Sequence, residues 1–144
     1  MANYHPFFVA VRYNTPIIKP CHLKIVAGDR LEDIMYINFW YAMAESAEVP
    51  ADAPSRVRVL GQNFVLFRDE SGQAHCLHDT CSHRGASLSM GKMHGNNVEC
   101  PYHGWQFNGE GNCAYIPSLG KDNQKIPSRT KIDSYIYLIL KPVW

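Results

Sequence analysis

Two short segments, each containing one cysteine and one histidine, constrain this chain more than any other feature. The first segment pairs Cys81 with His83 and the second pairs Cys100 with His103, with sixteen residues between the segments. A thiolate and an imidazole that stand two or three positions apart can both reach one metal centre. The chain is therefore predicted to bring two loops to a metal site from different sides.

The residues around these pairs favour tight loops. Gly85 and Gly104 follow the two histidines closely, and glycine allows the backbone to approach a bound group. Pro101 restricts the backbone directly after the second cysteine. We expect both segments to be loops rather than helices or strands.

A structural zinc site is the first alternative for these four side chains. Zinc fingers usually take two cysteines from one segment and two histidines from the other. Here each segment contributes one residue of each type. This favours a 2Fe–2S centre in which two thiolates hold one iron and two imidazoles hold the other. A zinc-stabilised interaction module remains as the less favoured hypothesis.

The sequence around the four predicted ligands resembles that of a known family. The two stretches are Cys81-Ser82-His83-Arg84-Gly85 and Cys100-Pro101-Tyr102-His103-Gly104-Trp105-Gln106-Phe107. They resemble the Rieske signature of ring-hydroxylating and related Rieske non-haem iron oxygenases. The similarity extends from about Ile37 to Ser134 and includes Ile116-Pro117-Ser118.

The resemblance implies a cofactor and a set of site residues. The implied cofactor is a Rieske-type 2Fe–2S cluster, with Cys81, His83, Cys100 and His103 as its ligands. The residues implied to lie close around the cluster are Arg84, Gly85, Tyr102, Gly104, Trp105, Phe107 and Pro117.

The resemblance also separates this chain from the Rieske proteins of respiratory complexes. Those proteins carry an extra cysteine in each ligand loop, and the two form a disulfide; Ala86 and Tyr102 stand at these places here. They also use a serine and a tyrosine to donate hydrogen bonds to sulfur, where this chain has Trp105 and Phe107. We therefore expect a reduction potential in the lower part of the Rieske range.

The function implied by the resemblance is single-electron transfer, as the Rieske part of a ring-hydroxylating-type oxygenase. The implied donor is a reductase or a ferredoxin, and the implied acceptor is a catalytic domain with a mononuclear iron. Full-length members of the family commonly form trimers, so a homo-oligomer is also expected. A freestanding Rieske ferredoxin-like electron carrier is the main alternative.

The mononuclear iron site is expected to be absent from this chain. A two-histidine, one-carboxylate site needs two further histidines, conventionally downstream. No histidine follows His103 in the sequence. We therefore predict that the chain alone is not an oxygenase and that the catalytic residues lie elsewhere.

Composition excludes several other functions. The 144 residues have a net charge of +1, which provides no basic field for nucleic acid or an anionic membrane. The longest apolar runs, Phe7 to Val11 and Tyr135 to Leu140, are too short to span a bilayer. The residues near Met1 do not have the pattern of a secretory signal, so none is expected, and the five cysteines are an odd number. We expect a reduced, cytoplasmic protein.

Short alternating apolar segments separated by turns predict an all-β fold, a small sandwich or barrel of antiparallel strands. Residues 1–34 are predicted as an extension of unknown structure, and residues 35–144 as the Rieske domain. Gly61-Gln62-Asn63 is the predicted turn between the second and third strands. The predicted strands are Ile37 to Met43, Arg56 to Leu60, Phe64 to Arg68, Ala74 to His78, Trp105 to Phe107 and Lys131 to Leu140.

The remaining histidines are not expected to build a second metal site. His75 and His78 stand three apart on a predicted strand and therefore point to opposite faces. His94 falls in a predicted turn, and Cys76 and Cys113 are interpreted as small buried hydrophobic residues.

Overall fold

The structure is a computed structural model that describes residues 8–12, 40–122 and 125–140, with the backbone alone for 8–12 and 136–140. Its strands are β1 (Phe8–Arg12), β2 (Trp40–Glu45), β3 (Ser55–Val59), β4 (Gln62–Arg68), β5 (Ala74–His78), β6 (Lys92–His94), β7 (Asn97–Glu99), β8 (Gln106–Phe107), β9 (Cys113–Tyr115) and β10 (Ile136–Leu140). Single-turn 3-10 helices span Ser46–Glu48, Leu88–Met90 and Pro117–Leu119. None of the described helices has the length and apolar character needed to cross a membrane.

The strands form three open antiparallel sheets. Their orders are β10-β1-β2, β3-β4-β5 and β6-β7-β8-β9. The prediction of an all-β fold of short antiparallel strands is confirmed. Among the described strands the sheets are open, so the architecture is layered sheets and not a closed barrel.

β4 is the central strand of the fold because both of its faces are buried. Phe64 and Leu66 pack into one core with Met43, Val49 and Cys76. The alternate residues Val65 and Phe67 pack into a second core on the opposite face. Four consecutive apolar residues are typical of a strand covered on both sides. The second core contains Cys81 and Cys100, so the predicted site packs against this face of β4.

The turn between β3 and β4 begins one residue earlier and ends two residues earlier than the sequence predicted. Val59 pairs with Gln62, which leaves Leu60 and Gly61 as a two-residue loop. Their φ angles are 50° and 76°, and two positive φ angles are the mark of a tight type I′ hairpin. Assigning Gln62 and Asn63 to the turn was therefore wrong, because both already belong to β4.

Only the second half of the predicted strand from Lys131 to Leu140 forms a regular strand in the structure. Residues 131–132 pair with residues 111–112, and residues 133–135 then pair with residues 76–78 of β5. Lys131 bridges Asn112, and Ser134 bridges Leu77. Regular pairing begins at Ile136, where β10 joins β1. The first half is irregular because it crosses between layers, with Ile132 in the second core and Tyr135 in the first.

Four short strands were missing from the sequence prediction, namely β1, β6, β7 and β9. β1 lies inside the segment 1–34 and is the middle strand of its sheet, between β10 and β2. The first predicted strand, Ile37 to Met43, overlaps β2 from Trp40 onward, and residues 37–39 lie outside the described residues. The boundary between an extension and the Rieske domain at residues 34 and 35 stays a prediction.

Candidate metal centre

The first cysteine and histidine pair lies on a tight loop that follows β5. The N–H of Cys81 donates to the carbonyl of Ala86 at 2.8 Å, and the N–H of Gly85 donates to the carbonyl of Cys81 at 2.9 Å. Gly85 has a φ of 73°, in the left-handed region that glycine adopts without a steric penalty. The side chain of Cys81 is held inside this loop, whereas His83 is exposed.

The second pair lies on a loop with the same backbone pattern. The N–H of Cys100 donates to the carbonyl of Trp105 at 2.8 Å, and the N–H of Gly104 donates to the carbonyl of Cys100 at 3.0 Å. Gly104 has a φ of 70°. In both loops the glycine stands four residues after the cysteine, although the histidine stands two residues after it in one loop and three in the other. The two loops therefore share the spacing from cysteine to glycine and not the spacing from cysteine to histidine.

The two loops sort the four predicted ligands by type. The thiols of Cys81 and Cys100 come from different loops, interact with each other, and are 1% and 2% exposed. The rings of His83 and His103 also come from different loops and meet edge to face, with centroids 4.5 Å apart. Both imidazoles are exposed at the surface. The site therefore has a buried sulfur side and an exposed nitrogen side.

The electrostatics of the site differ between these two sides. Burial, together with the neighbouring thiol of Cys100, raises the pKa of Cys81 to about 11. Backbone N–H groups of His83 and Arg84 interact with the Cys81 sulfur and lower that pKa in part. The pKa of His83 is lowered, first by partial desolvation and then by the charges of His103 and Arg84. A lowered pKa favours the neutral imidazole, which is the form that binds metal.

The four residues fit a 2Fe–2S centre. Such a centre asks for two thiolates on one iron and two imidazoles on the other, which the paired thiols and the paired rings provide. Within the described part of the chain, no three His, Cys, Asp or Glu side chains gather around a single point. The two thiols therefore form one pair and the two imidazoles form another.

The residues predicted to surround the cluster are found against the two loops. The ring of Trp105 lies parallel to that of His83, with centroids 4.4 Å apart and 2° between the planes. The ring of Tyr102 lies 3.9 Å from that of His103 and is 61% exposed. Phe107 is fully buried in the same core as the two cysteines. These contacts bring three of the predicted aromatic residues to the site.

Pro117, Gly104 and Arg84 complete the predicted surroundings. The ring of Pro117 lies so close to Gly104 that a Cβ at residue 104 would stand 3.0 Å from its Cγ. The 3-10 helix Pro117–Leu119 therefore covers the second ligand loop. Arg84 is exposed beside His83, whose pKa it lowers through its charge.

The other histidines in the described part of the chain lie apart from the two ligand loops; His5 and His22 lie outside the described residues. His75 Nε2 lies 2.9 Å from the Asp69 carboxylate. His94 is exposed and lies 3.7 Å from Glu99. His75 and His78 are both partly buried on β5. His75 and His78 are strand residues as predicted, whereas the placement of His94 in a turn was wrong, because His94 is the last residue of β6 and pairs with Asn97.

Sequence reasoning missed one buried charged residue at this site. Asp79 stands between β5 and Cys81, is 3% exposed, and accepts two hydrogen bonds from Ser89. A carboxylate placed directly after a predicted strand and two residues before a ligand was the signal that could have found it.

Comparison with known families gives the site its context. The sequence model of the Rieske [2Fe-2S] domain family matches residues 39–135. Chlorophyllide a oxygenase of Chlamydomonas reinhardtii, a chloroplastic protein, is 49% identical over 114 residues, which cover 74% of this chain and 18% of that protein. The 4beta-methylsterol monooxygenase of Methylococcus capsulatus is 40% identical over 99 residues, covering 68% of this chain and 27% of that protein.

Solved structures show the same fold. The crystal structure of apo dicamba monooxygenase superposes with a TM-score of 0.61 and 32% identity, covering 67% of this chain and 29% of that chain. The structure of the NdmA QL mutant with caffeine from Pseudomonas putida CBB5 gives a TM-score of 0.61 and 30% identity, covering 72% of this chain and 34% of that chain. The chain spans about a fifth to a quarter of the curated relatives and about a third of the solved chains. This chain belongs to the Rieske [2Fe-2S] domain family, whose cofactor is a Rieske-type 2Fe–2S cluster.

Proposed function

We propose that this chain is the electron-transfer domain of a Rieske oxygenase, with Cys81 and Cys100 on one iron and His83 and His103 on the other. The observation that supports this most strongly is the sorting of ligands across the loops. Two buried thiols interact, and two exposed imidazoles meet 4.5 Å apart. Each loop contributes one member to each pair, which is what two differently ligated irons require.

The protein residues divide the work of such a domain. When bound, the cluster supplies a reversible one-electron couple. The buried cysteines belong to the core that contains Leu88 and Phe107, which excludes water from the sulfur side. The exposed rings of His83 and His103 give an electron the shortest covalent path to a docked partner.

The proposed partners follow from the relatives. The two curated relatives compared above are an oxygenase and a monooxygenase, and both are several times longer than this chain. We propose a reductase or ferredoxin as the donor and a mononuclear-iron catalytic domain as the acceptor. Ring hydroxylation is one of the reactions that such a domain could serve, and a freestanding electron carrier is the competing function.

Location and assembly are also proposals. The composition supports a cytoplasmic protein, whereas the chlorophyllide a oxygenase of Chlamydomonas reinhardtii is named chloroplastic. A homo-oligomer is proposed from the family alone. Fluorescence of a tagged chain in its host cell and sedimentation of the purified protein test these two points.

The central experiment is metal analysis of the purified chain after anaerobic reconstitution with iron and sulfide. We expect equal amounts of iron and sulfide, about two of each per chain, with a red-brown colour and a Rieske-type EPR signal on reduction. A colourless protein with one zinc per chain would support the zinc module and contradict the proposal. Stopped-flow reduction by a ferredoxin and its reductase then measures electron acceptance.

The catalytic part of the proposal has its own test. The reduced chain is mixed with separately produced mononuclear-iron domains of the oxygenase relatives, and oxidation of the chain is followed in the presence of oxygen. Oxidation that depends on the added domain supports the oxygenase assignment. Rapid oxidation by small electron-carrier proteins, with none by the catalytic domains, would support the freestanding carrier instead.

A further inference from the structure

The two ligand loops are closed at their bases in different ways. The second loop lies between β7 and β8, which pair with each other, so the sheet closes its base. The first loop leaves β5 in one sheet and enters β6 in another. Among the described strands, β5 and β6 do not pair. The base of the first loop is therefore held by something other than a strand ladder.

Asp79 makes the contact that closes this loop. It is the first residue after β5, and its N–H donates to the carbonyl of Asn63 at 3.0 Å. One oxygen of its fully buried carboxylate accepts the N–H of Ser89 at 2.7 Å, and the other accepts the Ser89 hydroxyl at 2.7 Å. The carboxylate thus joins the two ends of residues 79–89, the segment that carries Cys81 and His83.

The Ser89 side of this contact is anchored in the second core, and the solvent side of the carboxylate faces Arg56. Ser89 is the middle residue of the 3-10 helix Leu88–Met90. Leu88 is fully buried in the same core as Cys81. On the solvent side, Arg56 of β3 approaches the carboxylate, with Nε 3.8 Å from Oδ2. Short hydrogen bonds to a carboxylate are stronger than neutral ones, and a buried contact of this kind is costly to leave unmade.

We infer that Asp79 is a positioning residue for the metal centre, which fixes the first ligand loop through its two hydrogen bonds to Ser89. It acts on the site through the loop and does not itself bind metal. The inference rests on the proposed ligand set. Without the Asp79 contact, the loop that holds Cys81 and His83 opens at its base and releases iron more readily.

The test compares full-length chains that carry their cluster. Asp79→Ala removes both hydrogen bonds, and Ser89→Ala removes only the one from the hydroxyl. Asp79→Asn preserves both, because its amide oxygen accepts the N–H and its amino group donates to the hydroxyl. Cluster loss is measured as the decay of visible absorption and of the EPR signal after an iron chelator is added.

We expect a graded result. Asp79→Ala should lose its cluster roughly ten- to one-hundred-fold faster than the parent chain, a factor typical of a lost charged hydrogen bond. Ser89→Ala should fall between the two, and Asp79→Asn should stay close to the parent. Loss at the parent rate in Asp79→Ala, or equally fast loss in Asp79→Asn and Asp79→Ala, would overturn the inference.

Asp69→Ala is the matched control. The Asp69 carboxylate also closes a loop, accepting hydrogen bonds from Ser71 and Gln73 in the turn at the opposite end of β5. Its removal should lower the unfolding temperature and leave the rate of cluster loss unchanged. Equal acceleration in this variant would show general destabilisation and would refute a specific role for Asp79.

Two further outcomes are also decisive. Where Asp79→Ala gives no folded protein, the comparison of Ser89→Ala with the parent decides, and equal rates refute the inference. A parent chain that takes up no iron and sulfide refutes the proposed function, whereas a stable cluster with unchanged Asp79 variants refutes the role of Asp79 alone.

Discussion

The indole of Trp105 covers one face of the His83 imidazole, with ring centroids 4.4 Å apart and the two planes within 2° of parallel. The two residues come from different ligand loops, so the stack joins the loops at the surface. It also keeps water from one face of an otherwise exposed ring. Partial desolvation is the main cause of the lowered pKa of His83.

Removing this stack should change the pH dependence of the reduction potential. In a Rieske centre the potential falls as the ligand imidazoles lose their outer protons. Desolvation disfavours the anion that forms when the outer proton leaves, so Trp105→Ala, which returns water to the His83 ring, should let the fall begin at a lower pH than in the parent. Trp105→Phe keeps an aromatic face and should show a smaller change. Protein-film voltammetry across pH measures this, and an unchanged onset in Trp105→Ala would contradict the role of the stack.

The ligand set can be tested residue by residue. Cys81→Ser and His83→Ala each remove one ligand, and we expect loss of the visible chromophore and of the Rieske EPR signal. His94→Ala is the matched control, since His94 is an exposed histidine outside the two ligand loops. It should retain the full signal. A complete cluster in His83→Ala, measured as iron and sulfide per chain, would contradict the assignment.

Phe107→Tyr should raise the reduction potential. Phe107 is fully buried in the core that contains Cys81 and Cys100, and a hydroxyl there could donate to sulfur and stabilise the reduced state. One such hydrogen bond corresponds to a rise of roughly 60 mV, the value for a tenfold change in a one-electron equilibrium. Phe64→Tyr introduces the same hydroxyl into the other core and should leave the potential unchanged. A fall in Phe107→Tyr would show that its ring is directed away from the sulfur.

The equivalent glycines of the two loops should differ in their tolerance of a side chain. A Cβ at Gly85 meets nothing within 4 Å, so Gly85→Ala should cost only the strain of its positive φ, about 1 kcal/mol. A Cβ at Gly104 would also press on Pro117, and Gly104→Ala should cost about 1–2 kcal/mol more. Urea unfolding measures both, and adding Pro117→Ala should relieve part of the second cost. Equal costs would contradict close packing at Pro117.

The Asp69 turn should lose its contribution to stability in acid. Hydrogen bonds from Ser71 and then from His75 lower the pKa of Asp69 from 3.8 to about 2. A carboxyl whose pKa is lower in the folded chain stabilises it above pH 4, and this contribution is lost as the pH falls toward 2. The difference in the free energy of unfolding between the parent and Asp69→Asn should therefore be constant near neutral pH and shrink below pH 4. A difference independent of pH would contradict the lowered pKa.

The sequence by itself determined the local features of this protein. The cysteines and histidines, with a glycine four residues after each cysteine, predicted two tight loops because such turns depend on a few neighbouring residues. The segment from Phe64 to Arg68 was predicted as a strand for the same reason, and the structure has β4 there. These loop and strand patterns could be interpreted without knowledge of distant contacts, and together they predicted an all-β fold.

Only the tertiary structure decided which residues meet across the chain. The ligand types favoured a pairing of Cys81 with Cys100 and of His83 with His103, but no spacing within either loop specifies these contacts between the loops. Residues 131–135 were predicted as regular strand because their pattern does not show that they cross between two cores. Asp79 looked like an ordinary charged residue until the fold placed Ser89 against its carboxylate. These contacts join residues far apart in sequence, and burial and packing, which local patterns do not encode, determine them.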